Sequence, residues 1–516
     1  MYLVFLLPII KGVYFLLLML QQEHYMNFSL VRYLKKFYLG LPFVFCCYLS
    51  ILFFLKISYV DLFVYIFVLV FSLIKVKYII KLKFTKRVFR LFILSLLFVT
   101  LPFIFSFTRV TFLMVLFCLP FILMFANLIL SPFEFLVKRF YKNKAIRKLK
   151  KVNPFVVCIT GSFGKTSIKK MLESLYKNEY FVFATPKSYN TPMGISKCVI
   201  DNMSGLSEIF FCEAGATKPG DIKEITEMIK PDVGVITSVG YQHMASFKSI
   251  DNVLKTKWEL ASSLNSDGKL VLNYGNDYLN GLSIDGIKEC IGVNKKYGKY
   301  YACNIKFDDL WTEFDIYSYN KFVIHLKTKL LGDHNIDNIV LCYAVKKMLD
   351  DKFYLSDDAF KKGVENLCNI ENRLSLKTFE EKNVKYRLLD DSFNSNTEGF
   401  LSAVNVLKRL SGVKCIITPG VVDGGVYSSL IMDKLSVCLA GLDDIVLVNN
   451  KEVKILKSIL NKRNIKFVCV NSFVDALSYI KSKYVNFSYE YVNILIENDL
   501  PDNYLMRWVY EFWRFN

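Results

Sequence analysis

With 516 residues, 53% of them apolar and 16% aromatic, the chain has room for three or four domains and is too hydrophobic for a disordered or nucleic-acid-coating protein. Its net charge of +20 is uneven: residues 1–151 hold 21 Lys/Arg against 3 Asp/Glu, the remainder 45 against 43. Basicity confined to the most hydrophobic third signals membrane topology and argues against nucleic-acid binding.

Apolar runs occupy about 2–20, 39–55, 57–74, 91–107 and 110–130. Each is near the ~20 residues a helix needs to cross the hydrocarbon layer. The first lacks a basic start and precedes four more runs, so it reads as a span and not a cleaved leader. Residues 75–90 and 138–151 hold seven and eight Lys/Arg and no acid, which puts both on the cytoplasmic side. Five spans then leave everything after 131 in the cytoplasm. Lys11 interrupts the first run, either as a functional intramembrane charge or, the favoured reading, because the segment is tilted or only partly inserted.

From 152 onward β-like apolar runs (208–212, 232–237, 268–273, 384–390, 413–418, 443–449, 465–470, 490–496) alternate with amphipathic helical patterns. That alternation predicts α/β layers with mainly parallel sheets. The expected organisation is a helical membrane domain over 1–150, a central P-loop ATPase-like α/β domain over 151–372 and a C-terminal Rossmann-like α/β domain over 373–516. The 13 cysteines show no CxxC spacing and read as reduced residues of a cytosolic compartment.

Chemistry first shows at Thr160-Gly161-Ser162-Phe163-Gly164-Lys165-Thr166-Ser167. A strand precedes it, and Ile168, Met171, Leu172 and Leu175 follow at helical spacing. Strand, glycine turn, Lys-Thr and helix build a phosphate cradle of backbone N–H groups and a helix N-terminus. Lys165 is placed to reach the terminal phosphates and Thr166 to hold Mg²⁺. Ile159 stands where a full P-loop has its first glycine. Glu213 ends a strand-like run, where open α/β sheets bind ligands; a helix N-terminal acid is the alternative. His243 follows the next strand on the same edge, although a lone loop histidine is more often incidental. Lys257 sits on a helical stretch, where a lysine is ordinarily solvated. Asn335 opens a helix as a cap or a base-contacting group. Asp390 and Asn394 lie in a polar turn after a strand, as turn formers or ligand contacts.

In order along 153–500 these blocks resemble the Mur ligase family, and within it the D-alanyl-D-alanine-adding branch. The glycine turn matches its short P-loop, and Ser188-Tyr-Asn-Thr-Pro-Met-Gly194 its substrate-facing loop. Glu213-Ala-Gly-Ala216 and Gln242-His243 through Lys257-x-Glu259 match its metal and carbamate blocks. Leu272-Asn273, Gly332-x-His334-Asn335-x-x-Asn338, Asn372-Arg373-Leu374 and Asp390-Asp391-Ser392-x-Asn394 complete the series. The resemblance implies ATP and Mg²⁺. Gly161, Ser162, Gly164, Lys165, Thr166 and Ser167 would cradle the phosphates. Asn273, Asn335 and Asp390 would meet adenine or ribose, and Arg373 a phosphate. Thr166 and Glu213 would hold one metal; His243 and a carboxylated Lys257 would hold a second. Ser188, Asn190, Thr191 and Asn394 would face substrate.

It further implies an ATP-dependent amide ligase of peptidoglycan precursor synthesis. Its substrates would be a UDP-muramoyl peptide, or another carboxylate, and a D-Ala-D-Ala-like amine, joined through an acyl phosphate. One departure stands out: hydrophobic segments replace the family's uridine-diphosphate-gripping domain. They would anchor the enzyme in the cytoplasmic membrane as a multi-pass protein, with its catalytic domains in the cytoplasm beside other cell-wall enzymes. Two alternatives remain at this point, a ligase of another polymer such as poly-γ-glutamate and a non-catalytic membrane scaffold.

Overall fold

The structure, a computed structural model, describes residues 6–22, 25, 27, 82–105, 109–186, 189–241, 244–308, 311–368, 374–381, 383–392, 397–420, 428–449, 453–485 and 491–497. The chain divides into two compact units, residues 1–141 and 142–516. The expected spans at 39–55 and 57–74 lie outside the described residues.

In the first unit, helices α1 (Leu6–Gln22), α2 (Lys86–Phe105) and the start of α3 (Arg109–Val152) are described. They share an interior of Val13, Leu16 and Leu20 with Leu91, Val99, Leu119 and Leu123. α1 has 17 residues, and the side chain of Lys11 lies outside the described set. Opposite the interior, Phe89, Ile93, Leu97 and Leu101 recur every fourth residue on α2, and Phe117, Phe121 and Phe125 on α3, all exposed. Water-facing helices carry polar residues there; an apolar outer face suits hydrocarbon. Two described stretches, Lys86–Phe105 and Phe117–Val152, are long and apolar enough to cross a membrane. Two side-chain contacts join α2 to α3. Arg90 Nε donates to Glu134 Oε1 at 2.9 Å, and Arg87 to Asn127 Oδ1 at 3.3 Å.

The basic run 138–151 is helical. In the second unit its inner face, Ala145 and Leu149, packs against the domain that follows, and Lys148 donates to the carbonyl of Ile200 at 2.9 Å.

A six-stranded parallel sheet forms the central domain, in the order β2-β3-β1-β4-β5-β6. Its strands are β1 (Phe155–Thr160), β2 (Val182–Ala184), β3 (Ile209–Glu213), β4 (Val233–Ile236), β5 (Lys269–Asn273) and β6 (Glu289–Val293). Helices α4 (Lys165–Tyr176), α5 (Pro192–Asn202), α6 (Asp221–Ile229) and α7 (Ile250–Ser262) connect the first five strands. Apolar cores cover both faces of the sheet, which is why its strands read as unbroken apolar runs. The sequence reading assigns no strand between 274 and 331. The structure adds β6 and a three-stranded antiparallel sheet, β7 (Tyr301–Phe307), β8 (Thr312–Ser318) and β9 (Lys321–Thr328). Only alternate residues of β8 and β9 are buried, so neither carries an apolar run.

After α8 (Asp333–Leu349) and α9 (Asp357–Glu365) comes a second sheet, ordered β10-β11-β15-β12-β13-β14. β10 (Ser375–Glu381) and β11 (Val384–Asp391) form a hairpin. β12 (Val413–Thr418), β13 (Asp444–Val448), β14 (Val468–Val470) and β15 (Val492–Glu497) are parallel to β11. Helices α10 (Thr397–Arg409), α11 (Ser428–Leu439), α12 (Val453–Lys462) and α13 (Phe473–Tyr484) flank it. The two sheets' domains meet through Arg409, whose guanidinium grips both oxygens of Asp333 at 3.1 Å, and through His334 against Ser402 Oγ at 2.9 Å.

Candidate active site

Parallel strands deliver their C-terminal ends to one edge, and there Glu213, Asn273 and the glycine turn gather. Glu213 lies in register with Ile159, so its carboxylate stands beside the turn leaving β1. Thr237 and Ser238 follow β4 on the other side, and Asn273 ends β5.

The turn is shaped by neighbours as much as by its own sequence. Gly161 has φ +150°, and a Cβ there would lie 2.0 Å from Thr237 Oγ1. Gly164 has φ +81°, and its Cβ would crowd Asn338 Oδ1 at 3.0 Å. Only glycine meets both demands. Phe163 N donates to Ser238 Oγ at 2.8 Å, and Ser162 N to the carbonyl of Ser238 at the same distance. Lys165 opens α4, and its Nζ donates to the carbonyls of Gly161 at 2.6 Å and Ser162 at 3.1 Å. The ammonium is thereby held over its own turn.

Thr166 Oγ1 donates to Glu213 Oε1 at 3.1 Å, and Asn190 Nδ2 to the same oxygen at 3.3 Å. Lys169 Nζ reaches Glu213 Oε2 at 3.0 Å. Burial disfavours charge on Glu213, but Lys169, Lys165 and Thr166 outweigh it and hold the carboxyl below its usual range. A hydroxyl and an ionised carboxylate are the hard oxygen donors Mg²⁺ takes, so these residues fit that ion.

Lys257 is not on a solvated face: it is 2% exposed. Burial, then the Lys165 charge, lowers its pKa from 10.5 to about 7. Much of the amine is therefore neutral near pH 7, the form that adds CO₂.

Asn273 ties the edge together, donating to the carbonyl of Thr237 at 2.9 Å and accepting from Asn294 Nδ2 at 2.9 Å. Asn335 turns away, donating to the carbonyl of Leu331 at 2.8 Å; Asn338, one turn on, meets the glycine loop instead. Thr191 caps α5, accepting from Gly194 N. Asp390 is buried at the end of β11 in the second sheet, and its Oδ1 accepts from Ser392 N at 3.2 Å. Ser188, Gln242, His243, Arg373 and Asn394 lie outside the described residues. The sequence reading misses Lys169 and Asn294. Lys169 had one signal: it falls one turn after Lys165, on a helix whose inner face includes Ile168 and Leu172.

Asp337, beside Asn273 and Asn294 at Gly275, has its pKa raised from 3.8 to about 7 by burial and by Asp333. A raised carboxyl binds its proton more tightly when folded, so its contribution is complete below pH 3.8 and is lost as pH rises through about 7. Asp337→Asn is therefore expected to melt higher than wild type above pH 7, with the gap closing toward pH 4. Melting curves across that range test this; a gap independent of pH would refute it.

Residues 159–346 match the family model described as the Mur ligase middle domain. The chain is 28% identical over 277 residues to UDP-N-acetylmuramoyl-tripeptide–D-alanyl-D-alanine ligase of Buchnera aphidicola subsp. Baizongia pistaciae, covering 53% of this chain and 58% of that protein. It thus spans about three fifths of that relative's length. Among solved structures, MurF of Acinetobacter baumannii aligns with a TM-score of 0.63 at 19% identity, covering 72% of this chain and 80% of that one. MurF of Thermotoga maritima, in complex with ADP, aligns at 0.62 and 21%, covering 70% and 80%. The glycine turn and the acid on one parallel sheet edge thus lie within a stretch that is similar to the Mur ligase middle domain.

Proposed function

We propose that this chain is a membrane-anchored, ATP-dependent ligase that joins D-alanyl-D-alanine to UDP-N-acetylmuramoyl-tripeptide, the reaction for which its relatives are named. The observation that carries the reading is the convergence of Lys165, Thr166 and Glu213 at the glycine turn. A carboxylate resists amine attack because its leaving group is poor. Transfer of the γ-phosphoryl group of ATP to that carboxylate gives an acyl phosphate. The amine of the second substrate then attacks its carbonyl, and phosphate leaves. Lys165 and the N-terminus of α4 would offset the charge on the transferring group. Thr166 and Glu213 would hold Mg²⁺, which supplies Lewis-acid charge neutralisation at the phosphates. A carbamate on Lys257, with His243, would provide a second oxygen-rich metal site. Asn273 and Asp390 would contact the nucleoside, and Arg373 would reach phosphate from the C-terminal domain. The exposed apolar faces of α2 and α3 support insertion in the cytoplasmic membrane, catalytic domains inside.

Purified full-length protein given the UDP-linked tripeptide, D-Ala-D-Ala and Mg-ATP is expected to release ADP and phosphate in step with amide formation. Turnover only with a different carboxylate would move the assignment to another polymer. That second reading is favoured by one observation: the family match begins at 159, and apolar helices precede it.

A further inference from the structure

Lys169 is used by no step above, yet it is one of the most deeply buried cations in the structure. It is 1% exposed, and its carboxylate partner Glu213 is 2% exposed. The two oxygens of Glu213 are divided between different neighbours. Oε2 faces Lys169 at 3.0 Å. Oε1 faces Thr166 at 3.1 Å and Asn190 at 3.3 Å, on the side of the glycine turn. The backbone N–H of Glu213 is fixed as well, on Thr185 Oγ1 at 3.1 Å. At 1% exposure the Lys169 ammonium is walled off from any ligand in the cradle, which distinguishes it from Lys165.

We propose that Lys169 is the resident counter-ion of Glu213: it grips Oε2, leaving Oε1 turned to Thr166, so that the metal site stands assembled before a metal arrives. The proposal rests on the reading of Glu213 as a Mg²⁺ ligand. A buried carboxylate without a partner is strongly unfavourable. In a site lacking Lys169, Oε2 of Glu213 would lose its buried ion-pair partner, leaving Thr166 and Asn190 on Oε1, and a bound metal would replace the missing charge, so folding would become linked to metal binding. With Lys169 present the site is stable alone, and Mg²⁺ shares an already neutralised carboxylate. Lys169 is thus a positioning residue, separated from the reacting atoms by Glu213.

The test is thermal melting of full-length protein without nucleotide, in EDTA and in millimolar MgCl₂, with NaCl matching ionic strength. Wild type is expected to gain less from Mg²⁺ than either Lys169 variant, because only the affinity of an already neutralised site contributes. Lys169→Met is expected to melt about 5 °C or more lower in EDTA and to recover most of that loss in Mg²⁺. Lys169→Gln keeps a donor for Oε2 without the charge; it guards against a Met variant that does not fold, and should show the same Mg²⁺ response. The Lys169→Met/Glu213→Gln double variant removes the uncompensated charge and should not respond. If both single variants melt low and stay low in Mg²⁺, or melt like wild type, the counter-ion role is refuted. A parallel measurement separates the two ideas: the Mg²⁺ dependence of ADP binding by Glu213→Gln. If it is lost while the Lys169 variants ignore Mg²⁺, the ligand reading stands and the counter-ion proposal fails. If it is unchanged, Glu213 is no metal ligand and both fail.

Discussion

Replacing Lys165 with alanine is expected to lower ATP-dependent turnover by at least about 10²–10³-fold, the range seen when a preorganised group facing transition-state charge is removed. The fold should survive. Two of the ammonium's hydrogen bonds run to carbonyls of its own turn, Gly161 and Ser162, and the turn is independently fixed by Thr237 and Ser238. ADP release under saturating substrates should collapse while the melting temperature stays near that of wild type. A variant that turns over normally would remove Lys165 from the mechanism, and with it the phosphate-cradle reading of the turn.

Lys257→Met should separate stability from activity. In CO₂-free buffer the buried amine of wild type holds its proton with a pKa of about 7, against 10.5 ordinarily. The unfolded chain therefore binds more protons between those values, and wild type gains stability as pH rises through that window. Methionine fills the same space without charge, so the variant is expected to melt higher than wild type near pH 7, the difference shrinking toward pH 10. On the proposed carbamate role, turnover should fall at least about 10²-fold, because methionine cannot add CO₂. Wild-type turnover in bicarbonate should rise with pH through about 7, as the neutral amine becomes available. Full activity of Lys257→Met would show that the lysine is structural. Lys165 and Lys257 sense each other's charge, so their combined substitution is expected to cost less than the sum of the two separately.

Strand positions were largely legible from the sequence. A parallel sheet covered on both faces demands an apolar residue at nearly every position, and 208–212, 232–237 and 268–273 meet that demand. β8 and β9 were not legible, because one face of each is solvated and charged residues such as Glu313, Lys321 and Lys327 interrupt the pattern. The glycine turn was legible for a local reason: strand, glycines, Lys-Thr and helix lie within a dozen residues. Thr191 shows the opposite case. It sits in a motif that resembles a substrate loop, yet its side chain caps a helix.

The sequence by itself determined the membrane-like front end, the two α/β series and the phosphate turn, because each is written in contiguous residues whose period or spacing is local. Only the tertiary structure decided that Lys169 faces Glu213, that Lys257 is buried beside Lys165, and that Asn338 rather than Asn335 meets the glycine loop. Those pairings join residues tens to more than a hundred positions apart. Whether a lysine is solvated, ion-paired or stripped of its proton depends on what packs around it, and only the folded chain supplies that environment.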